Sequence, residues 1–281
     1  MNRKLMEVLC RKEQDELKDM MITYLTNVYE KENVLVADGY ILCKGCIDIA
    51  LIAHMDKVFI TPMTEFYYDE EKGVMWSPQG AGFDDRAGIY AIIQILKKGY
   101  RPHIILTEDE EIGAVGAKKL LMDFPESPFD SLAYMIELDR AGHNDCVFYD
   151  CCNDDFTKYI ENFGFEFARG TFTDIRILSS AWGIAAVNLS IGYYDEHIEI
   201  ERLNIESMER TISKVEAMLN DESHLSYAFV KGENLCEFCL EPIGEVTYFF
   251  NSYRICKNCN DIITYRSDCK GKRVGKKPSP V

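Results

Sequence analysis

The sequence predicts an α/β fold, a mostly parallel central sheet flanked by helices, with a small second module after it. Three observations lead there. Short apolar runs with the look of strands buried on both faces alternate with amphipathic helices. The polar residues able to do chemistry follow directly on those runs. The composition then changes near residue 230: Lys231 to the end carries nine Lys/Arg against six Asp/Glu, a net of +3, within a chain whose formal charge is 31 − 47 = −16.

The elements follow in order. Leu17, Met20, Met21, Tyr24, Leu25 and Val28 recur at helical spacing. VLVA and YILC flank Asp38-Gly39, a two-residue hairpin signal. CIDIALIAH reads as a strand, FYYDEEKGVMW as a hairpin, and Asp84 to Gly99 as a helix with Ile89, Ile92, Ile93 and Leu96 on one face. HIILT is a strand and GAVGAKKLLMD a short helix. LAYMIELD and AAVNLSIGY are further strands, and Ile205 to Leu219 is a long helix with Met208, Ile212, Val215 and Met218 inward. No apolar run approaches the roughly 20 residues of a membrane span, and the first residues lack a signal-peptide core, so a cytosolic protein is expected, with no membrane partner. A body of net charge −19 (−16 − 3) argues against a grip on nucleic-acid phosphates.

In open sheets of this kind ligands bind beyond the carboxyl ends of the strands. His54 and Asp56 follow the first buried strand and Asp84 opens the long helix. Glu110 and Glu111 follow HIILT, Asp139 ends LAYMIELD, and His197 follows NLSIGYY. Gaps of 30, 27 and 28 residues separate positions 54, 84, 111 and 139, about one strand–helix unit each, so every group can return to one rim. Two imidazoles with three carboxylates suit a pair of divalent cations that share a carboxylate.

These segments, AHMD (53–56), FDDRAG (83–88), TEDEEIGAVGA (107–117), ELD (137–139), TFTD (171–174) and YYDEHIEIE (193–201), make the chain resemble the co-catalytic dizinc exopeptidases, in particular the glutamyl and tetrahedral aminopeptidases. The resemblance spans residues 47 to 219 and implies a zinc-exopeptidase-like sheet. It implies that His54 and Asp139 hold one cation, Glu111 and His197 a second, and Asp84 bridges both, with a cis peptide often following this Asp. Asp56 would orient the His54 ring and Glu110 would be the general base. Zinc is the first choice for the two ions, cobalt or manganese the alternatives. Thr173 and Asp174 match a Thr-Asp pair that lines or supports the substrate pocket, although a helix N-cap accounts for them equally. Only 57 residues separate Asp139 from His197, too few for the dimerisation lid of the carboxypeptidase-like relatives, which favours an aminopeptidase.

Cys236-x-x-Cys239 and Cys256-x-x-Cys259, sixteen residues apart, fit a four-thiolate zinc ribbon holding one structural zinc. The expected division is a catalytic domain at 1–230, the ribbon at 231–268 and a disordered basic tail at 269–281. Tyr248, Phe249, Phe250 and Tyr253 form either an exposed aromatic face or the module's core. Cys43-x-x-Cys46 reads as a turn, Cys151-Cys152 as packing at a helix start, and His103 as a packed strand residue. The expected activity is hydrolysis of an N-terminal amide bond in a peptide or small amide. The alternatives are a deacylase on the same metal pair, or a binding protein whose ribbon and tail contact protein or nucleic acid. A homo-oligomer fits either enzyme reading.

Overall fold

The structure is a computed structural model and describes residues 1–170, 172–221, 223, 225–232, 243, 247–250 and 253–270. The chain divides into two compact units, Met1–Lys231 and Gly232–Val281.

The first unit opens with two helices, α1 (Arg3–Arg11) and α2 (Gln14–Val28). Only the second was legible from periodicity. Asn2 caps α1 by accepting the Leu5 N–H. Strands β1 (Val34–Ala37) and β2 (Tyr40–Cys43) pair with Ala37 opposite Tyr40. The Asp38-Gly39 turn is therefore the expected two-residue hairpin, with Gly39 at φ +95°. Then come β3 (Ile47–His54), β4 (Tyr67–Asp69), β5 (Val74–Trp76), α3 (Phe83–Lys97), β6 (Pro102–Thr107), α4 (Val115–Asp123), β7 (Tyr134–Arg140), β8 (Asp145–Val147), α5 (Asp154–Glu161), β9 (Glu166–Phe167), α6 (Asp174–Trp182), β10 (Ala186–Ser190), β11 (Tyr193–Tyr194), β12 (Arg202–Asn204) and α7 (Ile205–Leu219).

The large sheet has the order β1-β2-β6-β3-β7-β10-β8-β9. Its centre, β6-β3-β7-β10, is parallel, as the strand–helix alternation requires. Helices cover both faces. Leu51, Ala53, Ile104, Leu106, Ile136 and Leu138 pack beneath α1, α2, α3 and α7. Ala50, Ile52, Ile105, Met135 and Ala186 pack beneath α4 and α6. Strands buried on both faces put their only exposed ends at the rims, where the polar residues collect.

The run read as one strand through NLSIGYY is two. The chain turns at Gly192, φ +94°, where a Cβ would come within 2.8 Å of the Asn204 carbonyl oxygen and the Met208 nitrogen. Beyond the turn, β11 leaves the large sheet for a small antiparallel one of order β11-β12-β5-β4. The expected helix from Asp84 begins instead with a kink: Asp84 and Asp85 have non-helical angles, and the peptide between them is cis. Cys151 does not start a helix; it bridges to Lys231, and α5 begins at Asp154 behind an Asn153 cap.

In the second unit β13 (Tyr248–Phe250) pairs antiparallel with β14 (Tyr253–Ile255), followed by α8 (Lys257–Lys270). Ile243, Ile255 and Cys256 are buried, with Tyr248, Cys259 and Ile263 packed against them. Phe249 and Tyr253 are exposed, so the aromatic run is divided between core and surface. Cys256 and Cys259 flank the start of α8; Cys236 and Cys239, and the tail beyond Lys270, lie outside the described residues. The helix runs through Cys269 and Lys270, two positions expected to be tail.

Candidate functional site

Parallel strands ending at one rim bring the predicted residues together. His54 ends β3 and is buried, its Nδ1 3.0 Å from Asp56 Oδ1. Its Nε2 lies 3.0 Å from Asp84 Oδ1 and 3.5 Å from Asp139 Oδ1. His197 Nε2 lies 3.1 Å from Asp84 Oδ2 and 3.0 Å from Glu111 Oε2. The two oxygens of Asp84 are thus divided between the two imidazoles.

Each carboxylate is held by its surroundings. Asp56 accepts the Glu110 N–H at Oδ1 and the Glu111 N–H at Oδ2, both at 3.0 Å. Asp139 accepts from the Tyr193 hydroxyl at Oδ1, 3.1 Å, and from the Thr173 hydroxyl at Oδ2, 3.2 Å. Thr173 occupies the N-cap position of α6, yet its side chain makes no cap hydrogen bond and serves Asp139. Asp174 is fully buried and accepts from the Thr107 hydroxyl. His197 sits in the β11–β12 loop at φ +64°, a left-handed backbone few non-glycine residues adopt.

Electrostatics follow from this crowding. Burial, then the charge of Asp139, pushes the Glu110 carboxyl up to about 9. Burial, then Asp84, pushes Asp139 up to about 7. Asp84 is also buried, but hydrogen bonds from His197 and His54 hold it well below the usual carboxylate range. Contact with Asp84 and then Glu111 pushes His197 up to about 11. Five carboxylates (Asp56, Asp84, Glu110, Glu111 and Asp139) surround two imidazoles, and Glu111 Oε1 is buried with no hydrogen-bond partner among the described residues. Donor atoms of His54, Asp84 and Glu111 all lie within 4.8 Å of one another. Such a surplus of hard oxygen and imidazole donors suits divalent cations.

Three residues with no role in the sequence reading complete the frame. Arg86 is fully buried and donates only to main-chain carbonyls: Leu9 (3.2 Å), Met55 (2.7 Å), Asp56 (3.0 Å) and Lys12 (3.1 Å). Asp85 accepts the Gly88 N–H at 2.8 Å and the His54 N–H at 3.3 Å. Glu201 accepts the Gly82 and Asp84 N–H groups. A charged residue beside each ligand motif was the available signal, but partners so distant in sequence gave it no direction. The Cys43–Cys46 turn and His103 lie elsewhere; His103 stacks on Phe129.

No family model and no curated protein matches the sequence. Solved structures do match the fold. The aminopeptidase PepT from Bacillus cereus aligns at 15% identity over 76% of this chain and 96% of its own, with a TM-score of 0.58. A tripeptidase from Staphylococcus aureus aligns at 13% identity over 77% and 96%, TM-score 0.59. The Pyrococcus horikoshii TET1 peptidase, described as assembling into a tetrahedron or a large octahedral shell, aligns at 16% identity over 73% and 94%, TM-score 0.51. The α/β fold of this chain, with its mostly parallel sheet between helices, is the fold of solved aminopeptidases and a tripeptidase.

Proposed function

We propose that the chain is a metal-dependent exopeptidase, and specifically an aminopeptidase that hydrolyses N-terminal amide bonds. The observation that carries this reading is the division of Asp84, one oxygen toward His54 and the other toward His197, whose ring also meets Glu111. In this reading His54 and Asp139 hold one divalent cation, Glu111 and His197 a second, and Asp84 both. The ions, when bound, lower the pKa of water and polarise the scissile carbonyl. Glu110, kept ionised because the charge of the bound cations offsets the neighbouring carboxylates, takes a proton from the attacking water at a carboxylate oxygen and delivers it to the departing amine nitrogen. Its main-chain N–H is fixed by Asp56, which leaves its side chain free for that transfer. Asp56 and the Thr173 and Tyr193 hydroxyls hold His54 and Asp139 in register.

The second unit in this reading carries a structural zinc on Cys236, Cys239, Cys256 and Cys259. Support comes from the C-x-x-C spacing and from Cys256 and Cys259 both falling at the start of α8. A homo-oligomer is proposed on the fold shared with assembling peptidases such as TET1.

Metal counting by native mass spectrometry tests the assignment, with Asp84→Ala alongside. About three ions in the wild type, falling toward one in the variant, are expected. A wild type that holds a single ion after zinc and cobalt are supplied would leave only the ribbon and sink the dimetal reading. Glu110→Gln should keep the ions and lose turnover of aminoacyl anilides. Turnover of acyl-amines alone would point to the deacylase.

A further inference from the structure

Residues 196–200 of the β11–β12 loop are all exposed, yet the next residue, Glu201, is completely buried. Its Oε2 accepts the Gly82 N–H at 2.7 Å and its Oε1 the Asp84 N–H at 3.0 Å. Both donors lie at the start of α3, where the first amides of a helix lack partners within the helix. The kink at Asp84 and Asp85 removes regular helical geometry there, and Gly82 is left-handed at φ +68°. No side chain in the local sequence caps this start. The cap is delivered instead across 117 residues of sequence.

Resting on the dimetal reading above, we infer that Glu201 is the positioning residue that sets the spacing between Asp84 and His197. Asp84 is tied to the β11–β12 loop twice. Its main chain is held by Glu201, and its side chain meets His197 Nε2 at 3.1 Å. His197 lies four residues before Glu201, on a loop whose ends are joined by β11–β12 pairing and by the Arg202–Asp195 ion pair. Moving Glu201 off the two amides would let the α3 start and the His197 loop drift independently. The donors they would share around one cation would then separate. A carboxylate is needed because both of its oxygens accept. A glutamine keeps the shape but offers one acceptor, and sets its NH2 against the other main-chain N–H.

The test is metal titration of apoprotein with Zn²⁺ and Co²⁺, read by calorimetry and by the Co²⁺ visible spectrum, for wild type, Glu201→Gln and the exposed control Glu199→Gln. Glu201→Gln is expected to weaken one of the two active-site ions by about 10- to 100-fold and to change the Co²⁺ spectrum. Glu199→Gln should match the wild type. Equal affinities and spectra in Glu201→Gln and wild type would overturn the inference and leave the dimetal reading intact. A wild type that takes up no active-site pair would overturn both. Should Glu201→Gln fail to fold, amide exchange in the wild-type apoprotein decides. Slow exchange at Gly82 and Asp84 supports the cap, and exchange as fast as that of the loop amides at 196–200 overturns it.

Discussion

Asp56 Oδ1 stands 3.0 Å from His54 Nδ1 while the two Asp56 oxygens also receive the Glu110 and Glu111 amides. One carboxylate thereby fixes the tautomer of an imidazole and the placement of two neighbouring glutamates. Asp56→Asn can accept only one amide and presents an NH2 to the other or to the ring. Metal affinity should fall by about 10- to 100-fold, with the fold retained. Calorimetric metal titration, alongside far-UV circular dichroism, reads both. Unchanged affinity would mean that the His54 ring is oriented by something other than Asp56.

Arg86 provides a stability prediction. Its guanidinium satisfies four carbonyls, from the end of α1 and its linker and from the turn that carries Asp56. Burial pulls the guanidinium down from its ordinary pKa, and the negative charges of Asp56 and Asp85 act against that pull. Arg86→Met strands those carbonyls and should cost about 3 kcal/mol or more. Urea unfolding measures it. A loss below about 1 kcal/mol would show that water enters and replaces the guanidinium.

The ligand positions were legible because each follows a recognisable apolar strand, and parallel strands must finish on the same rim. Their supports were not. Glu201 reaches Gly82 and Asp84, Arg86 reaches Leu9 and Lys12, and Tyr193 reaches Asp139 across separations no local pattern encodes. Thr173 shows the other kind of limit: a helix N-cap and a hydrogen bond to Asp139 ask for the same residue at the same place. The strand through NLSIGYY broke in two because Gly192 yields to packing against Asn204 and Met208. In α1 the buried Met6, Leu9 and Cys10 keep helical spacing, but the helix is only nine residues long and its burial comes from α3.

His103 carries a pH prediction independent of the metal site. Its Nδ1 accepts the Gly45 N–H at 3.0 Å and its Nε2 donates to the Ser131 carbonyl at 3.0 Å. Burial lowers its pKa below the ordinary 6.5, and a second proton on Nδ1 would also displace the Gly45 N–H. The unfolded chain takes up a proton near 6.5 and the folded chain does so only at lower pH. The stability from this residue is therefore complete above about pH 6.5 and declines as the pH falls toward the folded value. Thermal unfolding at pH 7.5 and pH 5.5 should show a larger acid-side loss in the wild type than in His103→Asn. Equal losses would place the titrating group elsewhere.

Removing the metals should loosen the rim more than the core. Without a cation the crowded carboxylates Asp84, Glu110, Glu111 and Asp139 are relieved only by taking up protons, as the rise of Glu110 to about 9 under burial and the Asp139 charge indicates. Chelation should lower the melting temperature. Each site resupplied at about 100 times its dissociation constant should restore roughly 2.7 kcal/mol of stability. The His197 loop should respond most, since its imidazole is half-exposed and anchored mainly by Asp84 and Glu111. Hydrogen exchange on chelation should therefore rise at residues 195–200 and stay low across β3, β6 and β7, whose strands are buried on both faces. A uniform rise across sheet and loop would instead mean that cation binding stabilises the whole unit cooperatively, with no separate opening of the rim.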